Sequence, residues 1–282
     1  RVKGDWAVRN PELTPSGWAF EFENDSYPDI DDTSIVVVDM ATARMTDLAE
    51  EQARCAVVER ATRWITGMRS KNGGWGAFDK DNDAAYLAKL PFSDFGEVLD
   101  PPSADVTAHL IEMYGRLGYD QREPTVRRGI DYIWRNQEPD GAWFGRWGVN
   151  YIYGTWQALK GLMAIGISPD EKYIRRAVAF LKEHQNEDGG WGESCESYTD
   201  PSLGGKGETT ASQTAWALMG LIAAGELEST AVERGIRFLI DSQDADGNWT
   251  ERCWTGTGFP RVFYLKYHMY RVRGFRVMIE VF

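Results

Sequence analysis

Cysteine, histidine and long apolar runs are all scarce in this 282-residue chain, and each scarcity removes a class of function. The three cysteines, Cys55, Cys195 and Cys253, form no CxxC pair and leave an odd thiol, which argues for a reducing compartment and against a disulfide framework. Three histidines, His109, His184 and His268, complete no zinc-ligand grouping with them. The longest apolar stretch, residues 215–225, falls well short of the ~20 residues that cross a bilayer. An apolar face dipped into lipid needs no such run, so lying on a membrane stays open. Basic residues number 31 against 43 acidic, and a net charge of -12 repels phosphate backbones, so no nucleic-acid partner is expected. The first residues show no secretory pattern and no starting Met, and they read as the middle of a longer protein.

Aromatic residues, by contrast, are abundant, with 12 Trp, 12 Tyr and 12 Phe, and several of them recur in a pattern. A basic and a small residue precede an aromatic–aliphatic pair, followed by Gln, Gly and Trp at fixed offsets. One copy runs Arg128, Gly129, Tyr132, Ile133, Gln137, Gly141, Trp143; the next runs Arg176, Ala177, Phe180, Leu181, Gln185, Gly189, Trp191. A third runs Arg234, Gly235, Phe238, Leu239, Gln243, Gly247, Trp249. The earliest, Arg60, Ala61, Trp64, Ile65, Gly73, Trp75, carries Arg69 in place of Gln, and Gly17-Trp18 reads as the tail of a fifth.

Each copy predicts a helix closed by a tight glycine turn that presents a Trp. In residues 168–185, Ile174, Ala177, Val178 and Leu181 share one helical face, and Ser168-Pro169-Asp170-Glu171 reads as a capping box. The helix before the third copy, residues 215–222, is apolar almost all round and so is expected to be buried on both sides. Alternating buried and half-buried helices imply an all-α fold of two concentric helical rings, an α/α toroid. Helix pairs are expected near 33–70, 103–137, 154–185 and 209–243, with a last helix from about 262. Four and a half pairs leave an open side for another segment or chain. The turn Trp is expected to stack on a neighbouring helix end, and the Gln to reach backbone groups of the next repeat.

The densest chemical signal is Asp29-Ile30-Asp31-Asp32-Thr33, three carboxylates within four positions ahead of a helix-like run, residues 34–45. Carboxylates this close cannot all ionise cheaply, so at least one should hold a proton near neutral pH and can act as a Brønsted acid. Asp32 or Thr33 is the expected helix cap, and the helix amides would stabilise the anion left by proton loss. A capped, solvated acidic turn is the plainer reading of the same residues. Asp105 and His109, four apart, share a helix face on which Asp105 could hold a charged imidazolium. A second acidic stretch, Asp79-Lys80-Asp81-Asn82-Asp83, is rejected as a calcium loop because Ala84 stands where glycine is required and no Glu occupies the twelfth place.

The acidic cluster and the Gln/Gly/Trp repeats together, with Asp94-Phe95-Gly96-Glu97, Asp105-Val106-Thr107-Ala108-His109, residues 143–151 and Gly256-Thr257-Gly258-Phe259-Pro260, carry a resemblance. From residue 4 to about 270 the chain resembles squalene–hopene cyclases, the bacterial class II triterpene cyclases. The resemblance implies a terpenoid cyclase/prenyltransferase-like double ring of helices over 1–270, followed by a divergent tail, 271–282. It implies cyclisation of squalene or a similar linear isoprenoid, with Asp31 protonating a terminal alkene, Asp29 and Asp32 supporting it, and His109 as its hydrogen-bond partner. Tyr153 becomes a relay to solvent. Phe20, Phe78, Trp147, Phe259, Phe263 and Tyr267 become the aromatic lining that shelters carbocations, each face worth roughly 0.5–2 kcal/mol. Many relatives carry Tyr at the place of Phe78. Phe92 and Phe95 fall in a stretch resembling the constriction through which the lipid enters. The family uses no metal or organic cofactor, and it sits peripherally on the cytoplasmic side of the membrane. Its first domain has no counterpart here, so a missing N-terminal domain or a homo-oligomeric partner is implied. Two further readings stay open: an excised or non-catalytic cyclase domain that needs a partner segment, and an α/α-toroid enzyme acting on carbohydrate.

Overall fold

The computed structural model describes residues 2–87 and 99–271. They form two compact units, one of residues 2–87, 99–135 and 164–166, the other of 136–163 and 167–271.

The first unit opens with a short helix, α1 (Trp6–Arg9), and a two-stranded antiparallel ladder, β1 (Trp18–Ala19) and β2 (Pro28–Asp29). Two helix pairs follow: α2 (Ile30–Thr42) with α3 (Leu48–Met68), and α4 (Ala104–Arg116) with α5 (Pro124–Arg135). Its core is aromatic and aliphatic, with Trp64, Trp75, Ile65, Ile111 and Ile133 at 1% exposure or less. The second unit holds α6 (Tyr151–Ala164), α7 (Lys172–Glu183), α8 (Ala211–Ala223) and α9 (Thr230–Ser242), then a hairpin of β3 (Gly256–Phe259) and β4 (Phe263–Leu265). As the patterning predicts, α8 is buried continuously from Ala211 to Leu221, whereas α7 buries only the face carrying Ile174, Ala177, Val178, Phe180 and Leu181.

The repeat works as a fastener. Gln137 Nε2 donates to the carbonyls of Gly141 and of Tyr173 in the next repeat, both at 2.8 Å, while Gln137 Oε1 accepts from Arg176 at 3.1 Å. Gln185 repeats the arrangement with Gly189 (2.7 Å) and Ala231 (2.8 Å). The turn Trp is held on both sides: the indoles of Trp75, Trp191 and Trp249 donate to Ile65, Leu181 and Leu239, ten residues back, while the rings of Trp75 and Trp191 lie against Gly129 of α5 and Gly235 of α9 in the next repeat. The glycines are required because the turn has φ of +102° at Gly73, +101° at Gly141 and +94° at Gly189, where a side chain would be strained.

Three local expectations are corrected. The α2 cap is Asp29, not Asp32 or Thr33, because pairing with β1 holds Asp29 extended and frees its carboxylate to accept the Asp32 N–H at 3.0 Å. The capping box at 168–171 is a turn instead: Ser168 Oγ accepts from Asp170 N–H at 3.2 Å, and α7 begins only at Lys172. The expected helix from 262 is the second strand of a hairpin, since Arg261 turns the chain at φ +73° and Thr257 N–H bonds the Trp147 carbonyl at 3.3 Å. The tail beyond 271 and the two entry-constriction residues, Phe92 and Phe95, lie outside the described residues.

Candidate active site

The acid cluster is built where α2 starts. Extended Asp29 caps the helix and is 8% exposed; Asp31 and Asp32 fall in the first turn and are half-buried. Thr33, fully buried, locks the entry by donating to the Asp29 carbonyl at 2.5 Å and accepting the Trp18 N–H at 2.9 Å. From α4, His109 reaches across so that its Nδ1 lies 2.5 Å from Asp31 Oδ1, with the side chains 11% and 21% exposed. A bare imidazole lone pair and a carboxylate would repel at that distance, so one proton lies between them. Asp105 shares the His109 face of α4, is 1% exposed, and stands in the helix's first turn.

Burial sets the electrostatics. The Asp29 carboxyl is pushed well above the ordinary Asp range, first by loss of water and then by the charges of Asp31 and Asp32. Asp32 is pushed up to about 6, by burial and then by Asp31, against the opposing pull of His109. The cluster therefore holds a proton at a pH where isolated carboxyls would have lost theirs, as the crowding of three acids predicts.

Phe78 is half-buried in the same unit, its N–H bonded to Asp100 Oδ2 at 2.6 Å. Phe20 stands 63% exposed just past β1. The other aromatics of the predicted lining belong to the second unit, where they form connected clusters. Tyr153, 7% exposed on α6, meets Trp216 edge-on at 5.0 Å; Trp216 meets Tyr270 at 5.4 Å, and Tyr270 meets Tyr267 at 4.8 Å. Phe259 and Phe263 face each other across the hairpin at 5.6 Å, and the half-buried Trp147 is covered by the Arg146 guanidinium, 5.5 Å from its ring centroid.

Trp216, Tyr270 and Asp100 join these groups without having been singled out in the sequence. Trp216 sits in so apolar a helix that it reads as ordinary core. Tyr270 follows Tyr267 by three residues, a spacing that could have flagged it. No local pattern announces Asp100.

Residues 1–279 match the family model for the squalene-hopene cyclase C-terminal domain. The squalene–hopene cyclase of Alicyclobacillus acidocaldarius is 54% identical over 270 residues, covering 96% of this chain and 42% of that protein. That of Zymomonas mobilis is 51% identical over 271 residues, covering 95% of this chain and 41% of that protein. The chain thus spans about two fifths of the length of these relatives. Among solved structures, the type II terpene cyclase MstE from Scytonema superposes with a TM-score of 0.58 at 18% identity, over 91% of this chain and 67% of that one. This likeness assigns the all-α fold of the type II terpene cyclases, the α/α-toroid class that the repeats predict. By its matched family model, its half-identical relatives and its fold, the chain belongs to the squalene–hopene cyclase C-terminal domain family.

Proposed function

We propose that this chain is the acid-bearing part of a cyclase that converts squalene, or a similar linear isoprenoid, to a hopene-type polycycle. The observation that carries the proposal is the 2.5 Å contact between His109 Nδ1 and Asp31 Oδ1. With Oδ1 engaged by an imidazolium N–H, the proton on the other Asp31 oxygen is the one free to leave. The remaining negative charge is met by the imidazolium and by the α2 N-terminus. That proton adds to the less substituted, CH carbon of the terminal alkene, whose π electrons form the new C–H bond, leaving a tertiary cation on the dimethyl-bearing carbon. Each later double bond supplies the electron pair for the next ring, until a C–H proton is lost or water is captured. Asp29 and Asp32 keep the cluster protonated.

Aromatic faces suit the cations because they attract positive charge without offering a lone pair strong enough to trap it. Phe20, Phe78, Trp147, Phe259, Phe263 and Tyr267 are assigned this part, and Tyr153 the return of a proton to the acid. Holding the polyene in a product-like fold and excluding water supply the rest. A water-insoluble substrate favours a peripheral position on the cytoplasmic membrane face. Among the described residues no helix is long and apolar enough to span it.

The test is incubation of squalene in detergent with the polypeptide that carries this domain, beside its Asp31→Asn variant. Cyclic triterpene from the former and a loss of about 1000-fold or more in the latter are expected. An Asp31→Asn variant with full activity ends the proposal. Flotation with phospholipid vesicles tests the membrane position.

A further inference from the structure

The segment 75–79 is bonded to both helices of the acid pair. Towards α2, the Ala77 carbonyl accepts the N–H of Ile30, the first residue of that helix, at 2.6 Å. Towards α4, the Trp75 carbonyl accepts the Ser103 N–H at 3.1 Å, and the Trp75 N–H donates to Thr107 Oγ1 at 3.1 Å. Asp31 lies one residue beyond Ile30, and His109 lies two residues beyond Thr107. The segment is therefore a strap that sets how far apart the two helices hold these side chains.

A strap without regular secondary structure needs its own anchor, and one carboxylate supplies it. Asp100, 6% exposed, accepts from Ala77 N–H at 3.2 Å through Oδ1, and from Phe78 N–H at 2.6 Å and Asp79 N–H at 2.8 Å through Oδ2. Its backbone N–H bonds the Asn82 carbonyl at 3.0 Å. Gly76 permits the approach: a Cβ there would lie 2.5 Å from Asp100 Oδ2. We propose that Asp100 is a positioning residue for the proton donor, holding the 75–79 strap so that Asp31 and His109 meet at hydrogen-bonding distance.

This deepens the cyclase reading but is tested first without substrate, so that the two can fail separately. The imidazole nitrogens of His109 are followed by 15N NMR against pH in the unsubstituted chain, with the His109 signal assigned by its loss in His109→Gln. The charged groups facing it are Asp31 and Asp32 on α2 and Asp105 on its own helix. Loosening the strap moves the imidazole away from Asp31, so Asp100→Asn should lower the His109 titration midpoint by about one unit, the scale of losing one close carboxylate. Thr107→Val, isosteric and cut from the other end of the strap, should lower it in the same direction and serves where Asp100→Asn does not fold. In the cyclase assay either variant should lose about 100-fold in kcat with KM little changed, as expected of a small misplacement of a catalytic group. Variants with a reduced Tm but an unmoved His109 midpoint would make Asp100 a purely structural residue and overturn the proposal.

Discussion

Asp29 Oδ1 accepts the backbone N–H of Asp32 at 3.0 Å, so the residue that caps α2 is also the most buried member of the acid cluster. The cap favours an ionised Asp29, while burial and two neighbouring carboxylates oppose it, and burial dominates. The same opposition at Asp32, raised from 3.8 to about 6, makes folding pH-dependent. The folded chain binds this proton more tightly than the unfolded one. Its stabilising effect is therefore complete below pH 3.8 and is lost as the pH rises through about 6. Asp32→Asn removes the penalty, so its Tm should exceed that of the unsubstituted chain at pH 8 and match it near pH 3.5. A pH series of thermal melts decides this, and equal Tm differences at both pH values would refute it.

The Gln137 amide is one of the fasteners that join successive repeats, with two donated bonds and one accepted. Truncation in Gln137→Ala removes these bonds and leaves part of the Arg176 guanidinium unmatched, and a loss of about 2 kcal/mol is expected from urea unfolding. Arg69 gives the opposite case. Among the described residues its buried Nε and Nη1 have no hydrogen-bond partner, and burial, then repulsion from Arg128, lowers the Arg69 pKa. Arg69→Gln restores the amide of the other copies and should raise stability by about 1 kcal/mol. A variant less stable than the unsubstituted chain would refute the comparison between repeats.

Gly141 combines a left-handed backbone with a crowded position: at φ +101°, an added Cβ would stand 2.6 Å from the Arg176 carbonyl oxygen. The obstacle is backbone, which cannot swing aside as a side chain end would. Gly141→Ala should therefore cost about 2 kcal/mol or more, whereas Gly118→Ala, also at positive φ but with open space around it, should cost only the conformational part, about 1 kcal/mol. Equal losses would show that contact with the next repeat adds nothing.

The helix pairs were legible because the Gln/Gly/Trp spacing marks where each helix stops, and glycine is required there by the backbone and not by chance. The acid was legible for a different reason, since three carboxylates in four positions conflict whatever surrounds them. What the sequence hid depended on distant groups. Asp29, Asp32 and Thr33 are all competent caps, and the choice was made by β1 pairing with β2. Residues 263–265, Phe-Tyr-Leu, are compatible with either period, and the glycines at 256 and 258 decided for a hairpin, with Tyr267 and Phe263 packed against them. Asp100 precedes a helix like many loop aspartates, and only the folded chain reveals three amides aimed at its carboxylate.

His109 can be separated from Asp31 as a contributor to acid strength. If the imidazole only filled space, His109→Phe would leave protonation almost untouched. If it stabilises the departing anion through the Nδ1 contact, its loss removes a charge-assisted bond worth about 1.5–3 kcal/mol. By transition-state arithmetic that is a 10- to 100-fold decrease in kcat, roughly, with KM little affected, because the charge develops after substrate has bound. His109→Gln keeps a hydrogen bond but no positive charge and should fall between the two. An epoxide-bearing isoprenoid, a stronger base than an alkene, asks less of the acid, so the His109→Phe defect should shrink with it. Single-turnover rates on both substrates measure the difference. A defect equal for alkene and epoxide would place His109 outside the proton-transfer step.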